Sequence, residues 1–308
     1  MTPGYEALRR GAAVLDLTTR GRIVVRGRDR ARLLHNLTSN EVKKMTPGSA
    51  CYAFLLSPQG RIQADLFLLS FAEHFLIDTE PELREKVFAH IKRYIIADQV
   101  ELEDVTASTA CIAVEGPSAA EILGAVGAPV PGEYAHSAWG EHTVAGLSAS
   151  GQPGFRIYAN ASARDALIAQ LQAAGAQTAS GEDLHGVRVE NGKPRYGEDI
   201  SDRTLPQETQ QMHAVSFQKG CYLGQEIVER IRAQGHVNKL LMRVRIEGAE
   251  PLSAGTRLTS NGAEAGEITS TFYLPGAGHV AALAYIRKQF ATPGVTLDAA
   301  GRKVSVTP

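Results

Sequence analysis

Cysteine, tryptophan and net charge are all scarce in this chain. Its 308 residues include three Cys, one Trp and four Met, and aromatic side chains make up 6%. Cys51, Cys111 and Cys221 are too few and too far apart for a disulfide framework or a cysteine-pair metal site, which fits a reducing, cytoplasmic setting. The formal net charge is −1, so no global basic field recruits nucleic acid or an anionic membrane. No apolar run approaches a membrane span, and Glu6, Arg9, Arg10 and Asp16 interrupt the start where a secretory signal would carry its apolar core. His35, His90, His136, His185, His213 and His236 show no i, i+4 pair and no Cys spacing, so no resident metal is expected. Neither a dinucleotide fingerprint nor a phosphate loop occurs. What remains is 44% hydrophobic and 21% charged, an ordered chain long enough for two or more cored domains.

The element pattern predicts an α+β fold. A strand at 22–26 leads into a helix at 29–36. Runs 52–56 and 62–69 flank the turn Ser57-Pro58-Gln59-Gly60 as a hairpin, with a further extended piece at 75–78. Pro81 starts a helix through Val87, Ile91 and Ile95, and 99–105 alternates as a strand. This is the split β-α-β-β-α-β unit of ferredoxin-like folds. Val25, Gly27, Ala31 and Leu34 recur as Val114, Gly116, Ala120 and Leu123, an offset of 114 − 25 = 89 residues, which predicts a second such unit with strands near 142–147 and 155–159 and a helix at 162–174. Beyond Asn238, alternation through Leu240, Met242, Val244 and Ile246, then turns at Asn261-Gly262, Pro275-Gly276 and Pro293-Gly294, predict an antiparallel β-barrel. The expected divisions are a first unit at 1–107, a second at 108–238 whose segment 181–238 carries the motifs, and the barrel at 239–308. A crevice between two facing units is where a small-molecule site is expected.

The most distinctive stretch is Lys219-Gly220-Cys221-Tyr222-Leu223-Gly224-Gln225-Glu226. A core segment would not combine a thiol, a lysine, two glycines, an amide and a carboxylate. Ile227, Val228 and Ile231 follow at helical spacing, which puts Cys221 near a helix N-terminus. There the helix dipole and the Lys219 charge would favour a thiolate. The plainer alternative is a buried cysteine closing a tight turn.

This octapeptide, continuing through Ile227-Val228-Glu229-Arg230, resembles the signature of the YgfZ-type folate-binding proteins, which support iron–sulfur cluster assembly and repair. They are related to the aminomethyltransferase (T-protein) of glycine cleavage. Arg188-Val189-Glu190-Asn191-Gly192 followed by Tyr196-Gly197-Glu198-Asp199-Ile200 resembles the T-protein pattern of an R-x-E-x-G run before a G-x-D-I run. Gly11 to Asp16, Gly27 and Leu33 to Asn40 follow the same outline. The resemblance implies a tetrahydrofolate ligand, a C-terminal barrel and Cys221 as the essential thiol, with consequences for iron–sulfur enzymes and tRNA modification. Transient iron–sulfur partners and a monomeric state are expected.

The same resemblance assigns residues. Glu190 would accept the side-by-side N–H and amino donors of a pterin; its alternative is an ion pair with Arg188 or Lys193. Gly192 would let backbone approach the flat ring, and Tyr222 would stack on it or simply pack. Gln225 and Glu226 would orient the thiol loop or face water. Arg230, with Arg232, Arg243 and Arg245, would attract a glutamyl tail or remain a solvated charge. One departure stands out: aligning Gly60 to Leu66 with the paired aspartates of T-proteins places Ala64 at the catalytic carboxylate and Asp65 at its neighbour. Adjacent strand residues face opposite ways, so Asp65 replaces the missing group only if a bulge re-aims it. Without one, aminomethyl transfer is lost and folate binding remains.

Overall fold

The computed structural model describes residues 1–235, 237–274 and 276–308; His236, among the histidines named above, and the turn residue Pro275 lie outside the described residues. The chain opens with α1 (Pro3–Arg10) and β1 (Ala13–Asp16). It continues through β2 (Gly21–Arg26), α2 (Arg30–Leu37), β3 (Ala50–Leu56), β4 (Ile62–Ser70), β5 (His74–Thr79), α3 (Arg84–Arg93) and β6 (Glu101–Asp104). The same order returns as β7 (Thr109–Glu115), α4 (Ala119–Ala125), β8 (His136–Trp139), β9 (His142–Ala145), β10 (Gly154–Asn160), α5 (Arg164–Ala173) and β11 (Gln177–Thr178). Helices α6 (Gly181–Glu190) and α7 (Gln225–Gln234) precede the strands β12 (Lys239–Glu247), β13 (Arg257–Ser260), β14 (Ala263–Leu274), β15 (His279–Arg287), β16 (Thr296–Ala299) and β17 (Arg302–Val306). The architecture is α+β, as expected, but α3 is shorter than the pattern suggested: Pro81–Leu83 forms a 3₁₀ turn and Ile96 is exposed.

The first sheet runs β3-β4-β5-β2-β6 and the second β8-β9-β10-β7-β1-β11. Strands β8, β9, β10 and β7 thus repeat the places of β3, β4, β5 and β2. The place of β6 is taken by β1, antiparallel to β7 as β6 is to β2. The repeated glycines show why. Gly27 (φ +102°) and Gly116 (φ +124°) lie against the carbonyl oxygens of Gln99 and Gly11, 2.0 and 2.4 Å from where a Cβ would stand. Gln99 leads into β6 and Gly11 into β1, and the same two carbonyls accept from the amides of Asp29 and Ser118. Position 107 falls between β6 and β7, and α1 and β1, counted with the first unit by the expected division, pack with the second sheet.

The barrel closes in the order β12-β15-β14-β13-β16-β17, with β17 returning to β12. Strand β15 is buried along nearly its whole length, and period-2 geometry explains it. Val280, Ala282, Ala284 and Ile286 fill the barrel, while Ala281, Leu283 and Tyr285 face the other way onto α1 and α6. One strand thus serves two cores and fastens the barrel to the body. Helix α6 is set by a capping box in which the Ser180 hydroxyl and the Asp183 carboxylate satisfy each other's backbone N–H.

The two sheets are joined by buried charge. Asp78 of β5 accepts from Arg20 at 2.6 Å and, across the gap, from Arg156 at 2.9 Å and Tyr158 at 2.6 Å, both on β10. These cations hold its carboxyl at about 2 against the opposing effect of burial. Removing one partner of such a pair leaves an uncompensated charge, at a cost of about 3–5 kcal/mol.

Candidate functional site

Between the sheets and α6 lies a cavity of about 280 Å³, lined among others by Tyr52, Asp65, Phe67, Arg156, Arg188 and Lys193. It adjoins a second cavity of about 460 Å³, and Phe67, Ser148 and Lys193 line both. On β3 and β4, Tyr52 pairs with Phe67 and Phe54 with Asp65, so Tyr52 and Asp65 are diagonal neighbours on one face. The Tyr52 hydroxyl donates to Asp65 Oδ2 at 2.7 Å. Asp65 Oδ1 is buried and has no hydrogen-bond partner among the described residues. Burial, with the Glu80 charge adding to it, pushes the Asp65 carboxyl up to about 6.

The backbone explains how Asp65 comes to face the cavity. Leu55 pairs with Ala64 but Leu56 pairs with Ile62, leaving Gln63 as a one-residue bulge. Counted from the hairpin turn, such an insertion reverses the facing of every later residue. Ala64 is consequently sealed in the apolar core, and Asp65 lines the cavity. The bulge on which Asp65 depended is thus present at Gln63, and Asp65 rather than Ala64 faces the cavity.

The guanidinium groups of the cavity wall are paired. Arg20 pairs with Asp78 and Glu80, Arg156 with Asp78, Arg188 with Glu198 and Asp199, and Arg195 with Glu80, Glu82 and Glu198. Lys193 forms no ion pair among the described residues. Its ammonium stands 5.7 Å from the centre of the Tyr52 ring, and His213 stacks on that ring with centroids 5.4 Å apart. Burial, then the Arg156 charge, lowers the Lys193 pKa.

The motif residues are placed differently from what their spacing suggests. Glu190 ends α6 facing α1, where it accepts from Tyr5 at 2.9 Å and pairs with Arg9 at 2.8 Å. It lines a separate cavity of about 430 Å³ beside the barrel, not the one that holds Asp65. The expected pairing with Arg188 or Lys193 does not form either. Gly192 (φ +72°) makes room for Arg243, whose Cδ lies 2.8 Å from a would-be Cβ, rather than for a flat ring. Arg188 does line the central cavity, and it also ties α6 to the 195–200 loop through Asp199 at 2.7 Å.

Cys221 is exposed, on a loop ahead of α7 and outside the central cavity. The structure does not bring it together with Glu190 or Asp65. Lys219 does not serve the thiol. Its three N–H donors go to the carbonyls of His35, Thr38 (2.6 Å) and Asn40 (2.9 Å), at and beyond the last turn of α2. A helix C-terminus has unpaired carbonyls and a negative dipole end, and this ammonium answers both. Tyr222 is a core residue with Lys219 over its ring at 4.7 Å, not a platform for a ligand. Gln225 accepts from the Tyr222 amide at 3.3 Å, while Glu226 and Arg230 are exposed on α7. Arg243 and Arg245 are exposed on the barrel.

Tyr52, Lys193, Arg156 and Asp78 were not singled out from the sequence. Asp78 and Arg156 carried a usable signal, since each is a charge at an inward position of an apolar strand. No helix among the described residues is long and apolar enough to cross a membrane. No group of three or more His, Cys, Asp or Glu side chains among them is arranged to hold a metal.

A pair of related sheets with a polar cavity between them and a closed barrel behind defines an aminomethyltransferase-type architecture. The solved glycine cleavage system aminomethyltransferase T from Bartonella henselae has this fold, with a TM-score of 0.90 at 20% identity over 99% of this chain and 87% of that one. The family model for the GCVT N-terminal domain matches residues 2–219, and the chain belongs to that family. It is 30% identical over 290 residues to an aminomethyltransferase of Rubrobacter xylanophilus, covering 92% of this chain and 78% of the relative. It is also 29% identical over 322 residues to an aminomethyltransferase of Geobacillus kaustophilus, covering 97% and 86%.

Proposed function

We propose that the central cavity binds a reduced folate such as tetrahydrofolate, and that the chain supports iron–sulfur proteins through the thiol of Cys221. The observation that carries the folate reading is the orphaned Oδ1 of Asp65. A buried carboxylate oxygen without a donor is costly, and a reduced pterin presents adjacent N–H and amino donors that would satisfy it. Tyr52 fixes the rotamer of that carboxylate, and the two adjoining cavities taken together fall in the size range of small-molecule sites. When bound, tetrahydrofolate supplies ring nitrogens that carry one-carbon units. Asp65 would orient the ring and hold or release a proton beside it.

The thiol reading rests on the octapeptide's resemblance to the YgfZ-type signature and on the exposure of Cys221. A thiol on a surface loop is accessible to a partner protein and remote from a ligand in the cavity. The working form in this reading is a cytoplasmic monomer that meets iron–sulfur proteins transiently, with tRNA modification affected through them. A second reading, folate-dependent aminomethyl transfer, is favoured by Asp65: a cavity carboxyl ionising near 6 is suited to general acid/base work at neutral pH.

Calorimetric titration with tetrahydrofolate tests the pocket. Saturable binding by the wild type, weakened about tenfold or more in Asp65→Asn, is expected. No binding by the wild type removes the folate reading. Cys221→Ala separates the two uses. Support of iron–sulfur enzymes in a depleted cell should fail, whereas turnover of a methylamine-type donor with tetrahydrofolate, if that is the activity, should survive.

A further inference from the structure

We propose that Lys193 is a specificity-determining residue of the central site, a carboxylate-recognition point at the junction of the two adjoining cavities. The proposal rests on the folate reading and adds to it. Lys193 is shared by both linings. Among the described residues the arginines of the central cavity wall have carboxylate partners and this ammonium has none within ion-pair distance.

Nearby carboxylates do not supply the missing partner. Glu115 is occupied by the Ser148 hydroxyl and by the amides of Ala149 and Ser150, each at 2.8 Å for the amides. Glu133, at the rim of the larger cavity, is exposed and makes no ion pair among the described residues. Asp65 spends one oxygen on Tyr52 and keeps the other free. On the cation side, Arg156 is turned to Asp78 and adds repulsion. The pKa of an amine in this setting is lowered by burial and by that neighbour, and an incoming anion would offset both.

Lys193 and Asp65 therefore meet at one phenol, the ammonium over the Tyr52 ring at 5.7 Å from its centre and the carboxylate at its hydroxyl, the first without an anionic partner and the second with an unanswered acceptor. A ligand pairing both carries N–H donors for Asp65 and a carboxylate for Lys193. That carboxylate has two possible sources: the glutamyl end of the folate itself, or a small carboxylic acid held beside the pterin.

Titrations of wild type, Lys193→Met and Lys193→Arg distinguish the outcomes, using tetrahydrofolate, 6-methyltetrahydropterin alone, and 6-methyltetrahydropterin with saturating glycine. If the glutamyl end is the source, wild type binds tetrahydrofolate about ten- to a hundredfold tighter than the carboxyl-free pterin, and Lys193→Met shrinks that difference by about tenfold while leaving pterin affinity unchanged. If a small acid is the source, glycine strengthens pterin binding by wild type and not by Lys193→Met. In either case Lys193→Arg retains part of the effect, which a merely structural role would not produce. Equal affinities of wild type and Lys193→Met for all probes overturn the proposal while leaving the folate reading intact. Failure of wild type to bind any of the three overturns both.

Discussion

Tyr52 and Asp65 meet across the β3–β4 pair with the phenol donating to one carboxylate oxygen at 2.7 Å, and the second oxygen is left buried and unanswered. The contact depends on a single unpaired residue, Gln63, which turns the strand so that Asp65 rather than Ala64 faces the gap between the sheets.

The carboxyl of Asp65 gives a signed pH dependence. It ionises near 6 in the fold against 3.8 for the free side chain. Below pH about 4 it is neutral in both the folded and unfolded chain; above about 6 the fold must bury a charge. This group's contribution to stability therefore falls as pH rises between those limits, by on the order of 3 kcal/mol for a shift of about two units. Asp65→Asn removes the effect. Urea unfolding should show the variant gaining on wild type by roughly that amount between pH 4 and 7, and a difference independent of pH would contradict the assignment.

Thiol accessibility should single out one cysteine. Cys221 is exposed, whereas burial pushes the thiols of Cys51 and Cys111 up to about 12. A colorimetric disulfide reagent should modify one thiol quickly in the native chain and all three in denaturant. Cys221→Ser should abolish the fast phase. Its affinity for tetrahydrofolate should equal that of wild type, because the thiol is outside the cavity.

Lys219→Met should destabilise the protein by about 2–4 kcal/mol, since it strips three carbonyls around the end of α2 of their donor. Lys219→Arg should not restore the loss, because a planar fork does not reproduce three converging N–H bonds. Thermal unfolding reads both. A Lys219→Met protein as stable as wild type would mean that this ammonium is dispensable to the loop.

Glu190→Gln should cost about 1 kcal/mol or less, because its partner Arg9 is half-buried and the pair is solvent-screened. Tetrahydrofolate affinity should be unchanged. A tenfold loss of affinity would return Glu190 to the ligand and refute its assignment to the α1–α6 contact.

Much of the fold was legible because its signals are local. The repeat of Gly27 at Gly116 announced the duplication, and the alternation from Leu240 announced the barrel. The site was less legible because it is assembled from distant stretches. Its walls come from Tyr52, Asp65, Arg156 and Lys193, and no spacing rule connects residues brought together only by two sheets facing each other. Gln63 looks like an ordinary strand residue, so the bulge had no signature. Lys219 was misread for a related reason. In sequence its nearest reactive neighbour is Cys221, but the carbonyls of α2, some 180 residues earlier in the chain, compete for the same ammonium and win.

Strand β1 lies between β7 and the two-residue edge strand β11, so one side of the second sheet is completed by residues from the beginning of the polypeptide. During synthesis that strand must wait, unpaired, until more than ninety later residues have emerged, while the first sheet has all its strands in hand. Deleting Ala13–Asp16 should thus unravel the half of the body that is farther along the chain and spare the nearer one.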